Sequence, residues 1–334
     1  MNAAFQHRHA AHCESGAIST LFCHHDLPIS EAMAFGLASA LSFVYLPFVK
    51  LQGMPLIAYR MPPKAIIKGL SKIFAARFRF ETFRSPQAGQ ERLDALLAEG
   101  RVVGLQTSVY WLPYFPEDMR FHFNAHNLLV YGKEQHEYLI SDPVFEEPVR
   151  CTDADLSRAR FAKGLLAPKG LLYFPEHIGR KEITVQAIRA AIKKNVRSML
   201  APVPIAGVRG MRMLANKVES LSTAKSADAV NPASAQFIGH IVRMQEEIGT
   251  GGAGFRFLYA AFLQEAAGHE SLKMLSAFSE RLMEIGDNWR SFALRAARMI
   301  KSREPFDPGV LAQLLREQAK QEEAFFRDLQ SAVA

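Results

Sequence analysis

Apolar residues follow two different periods along this chain, and the change between them divides it into two parts. Beyond residue 182 they recur at helical spacing, and prolines or glycines interrupt the runs. No strand pattern accompanies them, so this part is predicted to form an all-helical domain. The predicted helices are 183–200, 207–221, 234–248, 255–268, 270–302 and 308–330, with a mobile loop at 222–233.

The earlier part of the chain mixes helical and alternating patterns. Helices are predicted at 13–25, 31–45, 64–74 and 91–99, and Ser30 is the expected N-cap of the second. The predicted strands are 77–83, 102–109, 127–131, 137–140 and 170–174. An α+β domain has this layout, in which helices come first along the chain and a largely antiparallel sheet follows. We therefore expect an α+β domain over residues 1–178 and a helical domain over residues 179–334.

Composition limits the class of protein. At 334 residues the chain is long for one core, and its 49% apolar and 22% charged residues are ordinary globular values. The three cysteines cannot all pair and show no Cys-x-x-Cys spacing, which favours a reduced, cytoplasmic compartment. The richest apolar stretch, 32–49, contains Pro47 and several small residues, so it is interpreted as a buried core helix and not as a membrane span. A secretory signal is not expected, because residues 1–12 carry three histidines and an arginine.

The basic residues are concentrated in one segment. The chain has a net charge of +7, and nine Lys/Arg lie between Arg180 and Lys217 against a single acid, Glu182. Such a segment suggests a negatively charged partner, namely an acidic protein, a phosphate group or nucleic acid. No zinc-finger, RNP or basic-zipper pattern accompanies it, so nucleic acid is not the expected partner. A solvated helix face is the plainer interpretation of the charge alone.

Three residues suited to nucleophilic catalysis occupy the ends of predicted elements. Cys13 directly precedes an apolar-periodic run, so its thiol lies where a helix begins and the helix macrodipole favours a thiolate. His126 precedes a strand-like run, and Asp142 follows the next one. Cys, His and Asp in this order match the nucleophile, base and orienting group of papain-type enzymes. Taken singly, residues in such places are more often an inert thiol, a hydrogen-bonded core histidine and a turn-forming aspartate.

The motifs around these residues resemble a known family. They are His12-Cys13-Glu14-Ser15-Gly16-Ala17, the stretches 27–36 and 110–114, and the run 122–132 leading to Asp142-Pro143. Together they are similar to the family named for the N-terminal domain of the butirosin biosynthesis protein BtrH. The helical part, notably 249–259, resembles the domain usually appended to it. Because the family is related to papain-like and C39-type cysteine peptidases, the resemblance implies a papain-like fold followed by a helical domain.

The resemblance also implies a reaction. The family's named member is an acyltransferase that moves an aminoacyl chain from a carrier-protein thioester to an aminoglycoside amine. Carried over to this chain, Cys13 attacks the thioester and holds the acyl group. His126 takes the thiol proton and later deprotonates the amine, and Asp142 orients the imidazole.

The expected oxyanion donors are less completely defined. The backbone N–H of Cys13 is one candidate, because the first amides of a helix lack intrahelical partners. Papain-like enzymes usually carry a glutamine six residues before the cysteine, but His7 occupies that position here. Gln6, His7 and His9 are therefore alternatives for the second donor.

Four further residues are predicted to contact the substrate. Tyr110, Tyr114 and His122 come from a conspicuously aromatic region, which either packs in the core or lines an apolar channel for an acyl or pantetheine arm. Arg256 follows a glycine cluster that resembles an anion-binding helix start, so it is a candidate phosphate partner. An ordinary interhelical loop would show the same glycines.

The leading hypothesis is an acyltransferase in natural-product biosynthesis that uses a carrier-protein or coenzyme A thioester and an amine acceptor. The donor would bring its acyl group on a phosphopantetheine arm, and no bound cofactor or metal ion is expected. The basic segment suits this hypothesis, because acyl carrier proteins are acidic. The alternatives are a cysteine hydrolase (a C39-like peptidase, an amidase or a thioesterase), with water as acceptor, and a non-catalytic scaffold. The helical half could also form a homodimer.

Overall fold

The computed structural model describes residues 5–51, 53–221 and 230–334. The chain forms two compact units. The first takes the chain up to residue 34 together with residues 63–182, and the second takes residues 35–62 together with 183–334. The chain therefore enters the second unit briefly before it completes the first.

The regular elements are numbered here in chain order. The α-helices are α1 (Cys13–His24), α2 (Glu31–Leu37), α3 (Ala65–Ile73), α4 (Pro86–Ala98), α5 (Asp153–Arg160), α6 (Val185–Met199), α7 (Gly207–Glu219), α8 (Pro232–Glu246), α9 (Arg256–Ala266), α10 (Leu275–Ile300) and α11 (Pro308–Ala332). The strands are β1 (Leu41–Leu51), β2 (Met54–Arg60), β3 (Ala76–Glu81), β4 (Val103–Thr107), β5 (His126–Glu134), β6 (Glu137–Ser141), β7 (Val149–Thr152) and β8 (Leu172–Ile178).

The first unit is built on an antiparallel sheet. Within the described residues its six strands follow the order β3-β8-β4-β5-β6-β7. Thr107 pairs with His126, and Leu129 pairs with Ser141, so the end of β4, the start of β5 and the end of β6 lie side by side. This register brings the position after β6 next to the first residue of β5.

Helices pack against this sheet and close the core of the first unit. Apolar residues of α4 and α5 meet residues of the central strands, including Leu93, Leu96, Leu105, Leu128, Val130 and Leu156. Helix α1 also packs against β4 and β5, and every residue from Cys13 to Phe22 is buried. A helix buried on all sides is held firmly in place, which suits a helix whose first residue is a candidate nucleophile. The predicted α+β class is confirmed.

Strands β1 and β2 pair as an antiparallel hairpin, where a helix over 31–45 and a buried core helix over 32–49 were predicted. Helix α2 ends at Leu37, and the aromatic and β-branched residues that follow favour a strand. Pro47 is tolerated because the pairing of β1 is irregular between Leu46 and Lys50. The hairpin joins the second unit through backbone contacts, such as the Tyr45 N–H donating to the Ile205 carbonyl at 2.9 Å.

The second unit otherwise contains helices α6 to α11, and the six helices predicted there are confirmed with shifts of a few residues at their ends. The predicted mobile loop 222–233 falls largely outside the described residues, since 222–229 are not described. The expected domain division after residue 178 did not foresee that 35–62 would pack with the second unit. None of the helices in the described ranges combines the length and the apolar character that a membrane span needs.

Candidate active site

Cys13 is the first residue of α1, and local side chains define that helix start. His12 has an extended backbone and acts as the N-cap, with its ring accepting a hydrogen bond from the Ser15 N–H at 3.3 Å. The Gly16 N–H donates to the His12 carbonyl at 2.9 Å and closes the first turn. The first amides of a helix point away from intrahelical acceptors and carry partial positive charge. The Cys13 side chain therefore lies at the positive end of α1.

The sheet brings His126 and Asp142 to the same place. His126 Nε2 lies 2.7 Å from Asp142 Oδ2, and the Cys13 thiol forms a side-chain hydrogen bond with the His126 ring. Because Nε2 faces the carboxylate, Nδ1 is the ring nitrogen left for the sulfur. Cys13 is 6% exposed, His126 4% and Asp142 0%, so the three predicted catalytic residues meet in a nearly dry environment.

The electrostatics of this group favour a charged histidine. Burial by itself would lower the pKa of His126, but the charge and hydrogen bond of Asp142, with a further contribution from Cys13, outweigh it and raise the pKa to about 10. An imidazolium held beside a sulfur at a helix start is the arrangement that stabilises a thiolate nucleophile.

Tyr114 supports Asp142 from the side. Its hydroxyl donates to Asp142 Oδ2 at 2.9 Å, and the Val144 N–H donates to Oδ1 at 3.3 Å. The ring of Phe115 meets the His126 ring edge-on at 5.4 Å and helps to exclude water. The Tyr114 hydroxyl therefore orients Asp142, a role that the sequence did not indicate, while substrate binding by its half-buried ring stays a prediction.

A glycine allows the helix and the Asp142 loop to approach each other. A Cβ atom at Gly16 would lie 2.5 Å from the Ala10 Cβ and 2.6 Å from the Pro143 Cβ. Gly16 lies one helical turn after Cys13, on the same side of α1, and Pro143 directly follows Asp142. The short distance between Cys13 and Asp142 therefore depends on the absence of a side chain at Gly16.

Substitution of Gly16 by alanine is expected to separate these two elements. The added methyl group must displace either α1 or the loop carrying Asp142, and a displacement of about 1 Å costs on the order of 100-fold in a positioned reaction. We expect the rate of Cys13 alkylation by iodoacetamide to fall while the protein stays folded, as judged by circular dichroism. Gly239→Ala in α8 is a matched control, because a Cβ atom there lies in ordinary contact, 3.6 Å from the Ile300 Cδ1. Equal alkylation rates in Gly16→Ala and wild type would refute this account.

The chain before α1 runs past the Asp142 loop and is tied to it. The Ala10 N–H donates to the Pro143 carbonyl at 2.7 Å. His7 Nε2 lies 3.0 Å from the Phe145 carbonyl and must donate to it, so the neutral ring accepts from the Ser141 hydroxyl at Nδ1, at 2.7 Å. Both ring nitrogens of His7 are therefore engaged. The proposal of His7 as the second oxyanion donor is corrected.

Two other candidate oxyanion donors, Gln6 and His9, are solvent-exposed, whereas Cys13 is buried. The backbone N–H of Cys13 stays the predicted donor.

Tyr110 and His122 lie together at the surface of the first unit. Their rings stack at 4.0 Å, and the Val109 N–H bonds to the Phe123 carbonyl at 3.1 Å, which closes the loop between β4 and β5. Tyr110 is 40% exposed. The pair is thus accessible and lies in the loop that ends a few residues before His126. Its role in binding substrate stays a prediction.

Arg256 is fully buried in the second unit, and its predicted role in phosphate binding is corrected. Its guanidinium forms two hydrogen bonds of 2.9 Å to the Glu322 carboxylate and one of 2.7 Å to the Gly254 carbonyl. The neighbouring anion site is also filled from within the chain, because the Ala253 N–H lies 3.2 Å from both oxygens of Glu246. The glycine-rich turn is a structural connection.

Several residues of the site were missed from sequence. The support of Asp142 by Tyr114 and the contact of Glu31 with the chain before Cys13 both join positions far apart in sequence. No spacing rule links such positions. The capping role of His12 was also missed, because histidine is not among the usual N-cap residues.

The other two cysteines differ from Cys13 in their surroundings. Cys151 is buried, and burial raises the pKa of its thiol to about 12. Cys23 is partly exposed, and the Arg8 guanidinium donates to its sulfur at 2.7 Å. Among the described residues, no group of three His, Cys, Asp or Glu side chains is placed to hold a metal ion.

Two family profiles match the chain. A profile for butirosin biosynthesis protein H, N-terminal, matches residues 12–143, and a profile for a domain of unknown function, DUF4872, matches residues 154–329. The second match spans more than half of the chain, so the chain belongs to the DUF4872 family. Its N-terminal part belongs to the family of the BtrH N-terminal domain, as the motifs indicated. The DUF4872 match begins in α5, within the first unit.

One structural relative is a protein from Bacillus anthracis described as a C39-like peptidase. The similarity has a TM-score of 0.36 and 12% sequence identity, and it covers 53% of this chain and 96% of that chain. A comparison with curated proteins finds no match.

The class of protein follows from the site and the family together. A buried cysteine at a helix start bonds to a histidine that an aspartate orients. All three residues lie within residues 12–143, the part that matches the profile of the BtrH N-terminal domain. These features define a cysteine-dependent enzyme.

Proposed function

We propose that the protein is an acyltransferase that takes an acyl group from a thioester onto Cys13 and passes it to an amine. The observation that carries the proposal is the buried Cys13–His126–Asp142 group, in which Cys13 begins a helix beside a histidine whose pKa is raised to about 10. A thioester donor suits a cysteine nucleophile, because exchange of one thiol for another is nearly isoenergetic. Membership of the family named for a biosynthesis protein favours transfer over proteolysis.

The proposed reaction has two halves. The Cys13 thiolate attacks the thioester carbonyl, the bond to the donor sulfur breaks, and the leaving thiol takes a proton from the His126 imidazolium. The amine then attacks the acyl-Cys13 carbonyl, His126 accepts the amine proton, and the bond to Cys13 breaks as the amide forms. The Cys13 N–H at the helix start is positioned to stabilise the oxyanion in both halves.

The second unit offers a surface for the proposed donor. Helix α6 contains no acidic residue, and Lys193, Lys194 and Arg197 take part in none of the ion pairs of the described residues. Lys194 and Arg197 are exposed, and Lys193 is partly exposed. An acidic carrier protein that presents its acyl group on a phosphopantetheine arm is the partner that this charge would attract. A coenzyme A thioester is the alternative donor.

The test is mass spectrometry of the intact protein after mixing with acyl carrier proteins loaded with simple acyl groups. We expect an acyl adduct on Cys13, its loss in Cys13→Ala, and transfer to added amines in the wild type. The reaction should be faster than with the same acyl group on N-acetylcysteamine, and the advantage should shrink at high salt. Release of free acid alone, with amines present, would favour the cysteine hydrolase. Full transfer by Cys13→Ala would contradict the mechanism.

A further inference from the structure

The carboxylate of Glu31, the first residue of α2, reaches back to the chain around the nucleophile. Its Oε2 accepts the Ala11 N–H at 2.8 Å and its Oε1 accepts the His12 N–H at 2.8 Å. Oε1 also accepts the Ser15 hydroxyl at 2.9 Å. Both oxygens are therefore used, and all three donors lie within two residues of Cys13.

We propose that Glu31 is a positioning residue for Cys13, which sets where α1 begins and so aims the sulfur and the Cys13 N–H at the reaction. The two backbone donors belong to the residues just before the helix, where His12 has φ −130° and ψ 133°. A carboxylate can accept from both N–H groups at once, whereas an amide side chain turns one donor toward another donor. Loss of these bonds would free residues 11–12 and let the helix start fray. The proposal depends on the proposed function only in taking Cys13 as the nucleophile.

The charge of Glu31 and its positioning role are expected to change the reactivity of Cys13 in opposite directions, so an experiment can separate the two effects. Burial raises the pKa of Glu31, and the hydrogen bonds from Ala11, His12 and Ser15 oppose that shift. A negative charge near the start of α1 competes with a Cys13 thiolate for the same positive helix end. Removal of the charge alone would therefore increase the reactivity of Cys13. Loss of positioning would decrease the reactivity of Cys13, because its sulfur would move away from the His126 imidazolium.

The experiment compares Glu31→Gln with wild type by the rate of Cys13 alkylation with iodoacetamide, measured on the Cys13 peptide in a Cys23→Ser background. The readout is the ratio of the rate at about pH 6 to the rate at about pH 9, since an ordinary thiol is almost unreactive at the lower pH. We expect this ratio to fall about tenfold or more in Glu31→Gln. An unchanged or increased ratio would overturn the proposal.

Ser30→Ala is the matched control for a general weakening of α2. The Ser30 hydroxyl accepts the Met33 N–H at 2.9 Å and caps the same helix, whereas the hydrogen bonds from Ala11, His12 and Ser15 go to the Glu31 carboxylate. The ratio should stay within about twofold of wild type in this variant, and an equal fall in both variants would overturn the proposal. If Glu31→Gln fails to fold, Glu31→Asp is measured instead, because the shorter carboxylate cannot reach both N–H groups. A wild-type ratio typical of a free thiol would contradict the proposed function itself.

Discussion

Replacement of Asp142 by alanine is expected to reduce acyl transfer by about four orders of magnitude, as loss of the orienting carboxylate does in other triad enzymes. In this protein Asp142 has two effects on His126. It holds the ring through the 2.7 Å contact with Nε2, and its charge is the main influence that raises the pKa of His126 to about 10. Without it, burial dominates and His126 becomes neutral near pH 7.

Asp142→Asn separates orientation from charge. The asparagine oxygen can still accept from Nε2 and from Tyr114, so the ring keeps its place, while the charge is lost. We expect the Asp142→Asn variant to retain more activity than the Asp142→Ala variant. In both variants the pKa of His126 should fall by a similar amount. The pKa is measured by NMR of labelled histidine, with His126→Gln to assign the signal among the 11 histidines. A pKa that stays near 10 in both variants would show that Asp142 is not its cause.

The same interaction predicts how stability depends on pH. A histidine whose folded pKa is raised from 6.5 to about 10 stabilises the fold fully below about pH 6.5, and this contribution is lost as pH rises to about 10. The free energy of unfolding of the wild type should therefore fall by several kcal/mol across this window relative to Asp142→Asn. Denaturant titrations at several pH values measure the difference. Parallel curves for the two proteins would contradict the assignment.

Much of the fold could be predicted from the local pattern of apolar residues, because the same apolar faces are buried in the folded protein. The helices of the second unit bury one apolar face each, so their periodicity predicted them to within a few residues. Ser30 caps α2 as expected, through its bond to the Met33 N–H. The β1–β2 hairpin was missed because the small residues of α2 and the aromatic residues of β1 form one continuous apolar stretch. In the folded protein, the aromatic part of this stretch packs with the second unit as a strand.

The candidate site shows a similar division. Cys13, His126 and Asp142 were candidates because each lies at the end of a predicted element, but it was the family resemblance that selected them. Tyr114 was predicted with a different role, because nothing in an aromatic run says which hydroxyl will face Asp142. Arg256 was placed at a helix start correctly, but its partner, Glu322, lies 66 residues away in the chain. Such pairings are decided by the packing of whole elements.

That buried pair leads to the second large expected effect: Glu322→Gln should destabilise the second unit by about 3–5 kcal/mol. Arg256 and Glu322 are both 0% exposed, and Glu322 also accepts the indole N–H of Trp289 at 2.7 Å. The Arg256 guanidinium lies over the Tyr59 ring at 5.5 Å and the Trp289 ring at 5.4 Å. With the carboxylate gone, a desolvated positive charge stays in the core without its counter-charge, since a neutral amide replaces little of the attraction.

The next residue on α11 provides a matched control. Glu323 pairs with Arg212, but their side chains are 26% and 42% exposed, so Glu323→Gln should cost less than about 1 kcal/mol. Unfolding is followed through Trp289 in a Trp111→Phe background, because the chain has 2 tryptophans and Trp111 belongs to the first unit. Equal losses of unfolding free energy in the two variants would mean that the buried Arg256–Glu322 pair is no more important for stability than the exposed pair. Replacement of both partners by apolar residues should recover part of the loss, because no buried charge is then left without its partner.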